Sequence, residues 1–153
     1  MSKKFFLASV FLIVIVSLSF AYAEDSDDWI TSSHKVNIFD VKFTIPQDFE
    51  PVESECKRGT DYVDMVYSNG DDKIKIGVSE FDNVNSLNDI DWNKYYPNSF
   101  KLTVANKEGM SSYHFYPETY FGYVEDGKVI IIELPVTSGT HGTYEDLLKE
   151  ILV

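Results

Sequence analysis

The chain has 153 residues, 25 of them acidic and 13 basic, for a formal charge of −12. So acidic a protein is a poor partner for nucleic acid and for anionic lipid, and the charge is read first as a device for solubility. A single cysteine, Cys56, excludes an internal disulfide, and the length suits one domain rather than two of ordinary size, so stability has to come from one apolar core.

Residues 1–23 differ from the rest. Lys3 and Lys4 are followed by an uncharged apolar run, Phe5 to Phe20, and then by Ala21-Tyr22-Ala23. This is the pattern of a secretory signal peptide, with cleavage after Ala23. An uncleaved anchor over residues 5–23 is the alternative, because that run is just long enough to span a bilayer. Without Lys3 and Lys4 the basic residues fall from 13 to 11 against 25 acidic ones, and the exported chain carries a formal charge near −14. Residues 24–33 are polar and acidic apart from Trp29 and Ile30 and read as a tether, leaving 34–153 as a single domain.

From His34 to Ile45 apolar residues alternate but change parity, Val36 and Ile38 giving way to Val41, Phe43 and Ile45, so a bulge or tight turn is expected near Phe39-Asp40. Pro46 stops the strand, and 47–59 reads as a polar loop with Phe49 and Val52 as plugs. Two strands, 61–67 and 73–79, flank Asn69-Gly70, a strong hairpin signal. In the second of them Ile74, Ile76 and Val78 mark a core face opposite a wet one. Residues 83–96 shift to a helical period, with Ser86 as cap and Asp89 three places on. Leu87, Ile90 and Lys94 share one stripe, and Trp92 and Tyr95 widen its apolar side before Pro97 ends it.

Alternation resumes over 100–105, a turn is expected at 106–109, and 113–135 is dense in aromatic and β-branched residues. Asp126-Gly127 supplies a tight hairpin there, and Val129 to Ile132 reads as a strand covered on both faces. At the carboxy end Thr143 caps a helix with Glu145 and Asp146 in its first turn. Tyr144, Leu147, Leu148, Ile151 and Leu152 fall on one stripe that must lie on the sheet. The fold class expected is α+β: an antiparallel sheet of about six or seven strands, a short middle helix, and a carboxy-terminal helix packed on one face.

Chemistry is sparse. His34, His114 and His141 fall in three separate elements, without metal-ligand spacing. The run Asp82 to Asp91 is rich in oxygen but fails the calcium-loop register, having Val84 third, Leu87 sixth and Asn93 twelfth, so it reads as a capped helix start. No nucleophile elbow or phosphate-cradling glycine pattern is present, and no catalytic residue, metal ligand or cofactor is assigned. Cys56 reads as a plain thiol, with pairing between chains as the alternative.

The remaining feature is the tyrosine density of the meander. Alternation puts Tyr113 and Phe115 on one face and His114 and Tyr116 on the other; after the turn, Tyr120 shares a face with Gly122 and Val124, and Tyr123 shares the opposite one with Phe121. Tyr113, Tyr116, Tyr120 and Tyr123 are the candidate binding residues: a helix covers one ring-rich face, and the other is offered to a cell-surface protein or glycan. The alternatives are a hydrolase using carboxylates with His114 or His141, and an assembly protein pairing through a strand edge or Cys56.

The segments Val-Lys-Phe-Thr-Ile-Pro-Gln-Asp-Phe at 41–49 and Tyr-Ser-Asn-Gly at 67–70, with the terminal hairpin and Leu-rich helix, resemble small exported proteins of methanogenic archaea. A looser likeness in strand order is to PsbP-like folds. The resemblance implies an α+β domain outside the membrane and implies no activity.

Overall fold

The computed structural model describes residues 30–32, 34–113, 118–135, 137–138 and 142–152. The leader and residues 24–29 lie outside them. Ile30–Ser32 (β1), the end of the segment expected to be a tether, pair antiparallel with Lys35–Ile38 (β2).

The parity change in the first hairpin is a tight turn. Phe39 and Asp40 both take positive φ, 48° and 66°, and reverse the chain in two residues between β2 and Val41–Thr44 (β3). Val36 then sits opposite Phe43 and Ile38 opposite Val41. Both parities therefore share one face, and all four residues, with Ile45, are buried.

The main sheet is antiparallel throughout. Its strands are Glu50–Pro51 (β4), Lys57–Arg58 (β5), Tyr62–Ser68 (β6), Lys73–Glu80 (β7), Phe100–Val104 (β8), Lys107–Tyr113 (β9), Glu118–Glu125 (β10) and Lys128–Pro135 (β11). Their spatial order is β4-β6-β7-β11-β10-β9-β8, with β5 also beside β6. The β6–β7 turn forms as expected: Asn69 Oδ1 accepts the N–H groups of Asp71 at 3.1 Å and Asp72 at 2.8 Å, while Gly70 supplies φ of 99°. Asp126 and Gly127 close β10 onto β11, both at positive φ. The turn expected at 106–109 lies earlier, at Ala105-Asn106, so Lys107, Glu108 and Gly109 belong to β9.

One face of this sheet is the core. Ile74, Ile76, Ile130, Ile132 and Phe121 are fully buried there, and Phe49 closes it as a plug. Each such side chain contributes roughly 1.5–3 kcal/mol through removal from water. The β2–β3 hairpin covers part of the face and the carboxy-terminal helix another part; the short strands Thr137–Ser138 (β12) and Gly142–Thr143 (β13) lead into that helix.

The order of the strands dictates what happens on the opposite face. β7 lies inside the sheet and β8 at its far edge, so the chain between them, 81–99, has to pass β11, β10 and β9. It crosses over the second face. Here the short helix expected between the Ser86 cap and Pro97 is present but interrupted: Ser86 and Asp89 form the capping box, Leu87–Asp89 make a single 3-10 turn, Ile90 is extended, and Trp92–Tyr95 (α1) are α-helical. The second helix, Tyr144–Ile151 (α2), buries the stripe read from sequence: Tyr144, Leu147, Leu148 and Ile151, followed by Leu152. The antiparallel sheet and both helices are as expected, but with α-helix confined to these two short pieces among the described residues the fold is mostly β rather than clearly α+β.

Candidate functional site

The crossover covers only part of the second face. Trp92 lies over Gly122 on β10, where a Cβ would stand 2.7 Å from Cη2 of the indole, so the absent side chain is what admits the ring. The indole N–H donates to the carbonyl of Leu87 at 2.9 Å. Tyr96 stacks on Tyr120 with ring centroids 3.6 Å apart and planes at 25°. The exit of the crossover is tied down by Ser112 Oγ, which donates to the Pro97 carbonyl at 3.1 Å. These contacts use up β9, β10 and the Val129 end of β11, and they leave β6, β7 and the rest of β11 to line a groove.

What remains is a groove of about 1120 Å³. Its floor is three strands wide, about 10 Å between the outer two at the usual strand spacing. Across the floor, Asp64 is in register with Gly77 and Gly77 with Ile131; one step along, Val66, Lys75 and Glu133 make the next row. Gly77 gives the Asp64 carboxylate its space, since a Cβ there would stand 3.0 Å from Oδ1. Lys75 Nζ and Glu133 Oε2 pair at 3.1 Å across the floor, each about one-third exposed. A pair so open to solvent is worth at most about 1 kcal/mol. Ile131, expected to be covered on both faces like its neighbours, is instead half-buried in this floor.

The walls are aromatic on one side and polar on the other. Phe81, Trp92, Tyr95 and Tyr96 come from the crossover; Ser54, Glu55 and Lys57 come from the β4–β5 arm. Phe81 is 52% exposed and Tyr95 63%, and Tyr62, on the same face of β6, is 39% exposed. Lys94 Nζ sits 5.5 Å from the centroid of the Tyr95 ring. Burial, reinforced by the Glu133 charge, pushes the Tyr96 phenol up to about 12, and burial does the same to Tyr120. Both rings are neutral at any physiological pH.

Of the four tyrosines predicted to form a binding platform, the two whose side chains are described are not brought together. Tyr120 and Tyr123 point to opposite faces, as alternation requires, and both are buried: Tyr120 under Tyr96 and Trp92, Tyr123 in the main core beside Phe121. Neither ring is available as a platform. The first is covered by the crossover, whose path no local pattern announces. Tyr113 ends β9, and Tyr116 falls outside the described residues, as do His114 and His141. The most exposed rings among the described residues are Phe81, which the sequence pattern assigns to no element, and Tyr95, expected on a helix's apolar side. A usable signal was present, because Trp92, Tyr95 and Tyr96 crowd a segment too short to bury them all.

The remaining candidates resolve into structural roles. Asp89 accepts the N–H groups of Asn85 at 2.9 Å and Ser86 at 2.8 Å and the Ser86 hydroxyl at 3.1 Å, which hold its carboxyl below the usual range. The oxygen-rich run is thus a capped turn, and among the described residues no group of three or more His, Cys, Asp or Glu is placed to hold a metal ion. Cys56 Sγ lies 3.4 Å from the Val52 carbonyl and accepts the Val66 N–H at 3.5 Å, bracing the β4–β5 arm against β6. His34, half-buried, precedes β2, and its carbonyl accepts the Ile45 N–H. Among the described residues no helix is long and apolar enough to cross a membrane.

Compared with family models, with curated proteins and with solved structures, the chain matches none. The groove is therefore read from its own geometry.

Proposed function

We propose that this is an exported, non-catalytic domain that contacts a cell-surface glycan or protein through the groove on the second face of its sheet. The export pattern of residues 1–23 and the acidic, cysteine-poor composition support a location outside the membrane. The observation that carries the reading is the placement of Phe81 and Tyr95. Both rings stand more than half exposed at the rim of one groove, although a soluble domain gains nothing in stability from leaving them there. Concave sites with aromatic walls and a few placed polar groups are where proteins bind ligands. The α+β likeness to small exported proteins of methanogens agrees with this reading and adds no activity to it.

The test is co-sedimentation of the purified protein with isolated cell envelopes. The Phe81→Ala/Tyr95→Ala double variant should lose most of the retained fraction, while Lys42→Ala, on the outward side of β3, should retain it. Equal retention of all three proteins would remove the groove from the contact.

A further inference from the structure

The groove's charge is unlike that of the molecule around it. Of the carboxylates lining it, Glu55 is paired with Lys73 at 2.5 Å, and Asp89, still charged, accepts hydrogen bonds within its own turn. Asp64, Asp91 and Glu133 are left against Lys57, Lys75 and Lys94. In a chain of formal charge −12 the groove, with Lys73 counted against Glu55, is acidic by a single carboxylate, that of Asp89. An anionic ligand would need surplus lysines, which the lining lacks, and a polycation would need more than one surplus carboxylate.

Donors and acceptors are instead interleaved among ring faces. Lys75 beside Glu133, Asp64 in the space left by Gly77, and the Ser79 hydroxyl lie on the floor between the rings of one wall and the polar arm of the other. An occupant suited to this surface has apolar faces to lay on Phe81 and Tyr95 and hydroxyl groups that both donate and accept at its edges. The volume, about 1120 Å³, exceeds the roughly 300–1,000 Å³ of small-molecule sites, which favours an oligomer over a single ring.

We infer that the groove binds a neutral oligosaccharide, with Phe81 and Tyr95 as stacking surfaces and Asp64, Lys75 and Glu133 as hydroxyl partners. This deepens the proposed function and rests on it. Because the ligand carries no charge, binding is nearly independent of salt, unlike the capture of a charged ligand.

The chain has two tryptophans, so Trp29→Phe leaves Trp92, in the groove wall, as the sole indole reporter. Its fluorescence is titrated with cellohexaose, chitohexaose and mannohexaose, and separately with a lysine-rich peptide and a sulfated oligosaccharide, at 50 and 500 mM NaCl. Saturable change with at least one neutral hexasaccharide is expected, shifting less than twofold in Kd between the salts and weakening at least tenfold in Tyr95→Ala and in Phe81→Ala at unchanged melting temperature. Response to the peptide or the sulfated sugar alone, lost at high salt, would overturn the neutral-glycan assignment while leaving the groove as the contact. Silence toward every probe overturns the assignment too. In that case envelope co-sedimentation decides the groove separately, since retention unaffected by the double variant removes it.

Discussion

The indole of Trp92 rests on the backbone of Gly122, and that one contact divides the second sheet face into a covered half and an open half. A methyl group at Gly122 would meet the ring at 2.7 Å or closer, and the Leu87 carbonyl fixes the ring from the other end. Gly122→Ala should therefore displace Trp92 and destabilise the fold by about 1–3 kcal/mol, the range for overpacking. Gly109→Ala should cost more: its Cβ would stand 2.5 Å from Phe121 Cζ and 2.6 Å from the Gly122 carbonyl oxygen, and backbone cannot step aside. Denaturant midpoints of the two variants check the order; a milder effect at Gly109 would contradict it.

Two rings three residues apart should behave in opposite ways. Trp92 is 5% exposed and Tyr95 63%. Trp92→Ala empties a packed site and should cost about 3–5 kcal/mol. Tyr95→Ala should change stability by no more than about 0.5 kcal/mol, as exposed positions do, even with the loss of the weak Lys94 contact over its ring. Thermal unfolding of both proteins measures the contrast. A large loss at Tyr95 would show the ring to be structural and would weaken its assignment to ligand contact.

Most of the sheet was legible because its signals are local. Asn69-Gly70 and Asp126-Gly127 specify their own turns, and the alternation of Ile74, Ile76 and Val78 names a core face without reference to any other element. The capping box at Thr143 and the stripe from Tyr144 to Leu152 likewise identify both the start of α2 and its buried side. The groove was not legible, because it is created by strand order. Nothing within 118–125 states that 81–99 must cross β10 to reach the far edge, yet that path buries Tyr120 and leaves Ile131 half open. The middle helix is interrupted for a related reason. Leu87, Ile90 and Lys94 do recur at helical spacing, but Ile90 is extended between the 3-10 turn and α1, and beyond that break Trp92 packs on Gly122.

On the core face, α2 is the element whose loss should be most damaging. Leu148 is fully buried, so Leu148→Ala should cost about 2–5 kcal/mol, a large part of the 5–15 kcal/mol typical of a domain. Thr143→Ala, which removes only the cap, should cost about 1 kcal/mol. Urea titration followed by far-ultraviolet circular dichroism would rank them. Equal effects would imply that the helix is held by its end rather than by its face.

Cys56 sits within reach of the Val52 carbonyl and the Val66 amide, so forming a disulfide between chains would require withdrawing its sulfur from both. The protein should therefore run as a monomer on a non-reducing gel, and alkylation of Cys56 should accelerate at least tenfold once denaturant unfolds the β4–β5 arm. A disulfide-linked dimer from freshly purified native protein would contradict this placement.

The same cap at α2 should give the fold a defined acid sensitivity. Asp146 is held below its ordinary value of 3.8, chiefly because the Thr143 hydroxyl donates to its carboxylate at 2.8 Å, then through the Thr143 amide and the nearby Lys149. A carboxyl with a folded pKa below its unfolded one contributes stability that is fully present above the unfolded value and is lost as pH falls through the folded one. The stability gap between the native protein and Asp146→Asn should thus be constant from neutral pH down to about 5 and should close below 3.8. In Thr143→Ala the Asp146 carboxyl should titrate closer to its ordinary value, which carbon-13 chemical shifts of the side chain would follow. A gap that persists undiminished at pH 2 would mean that the asparagine variant fails for a reason other than the lost charge.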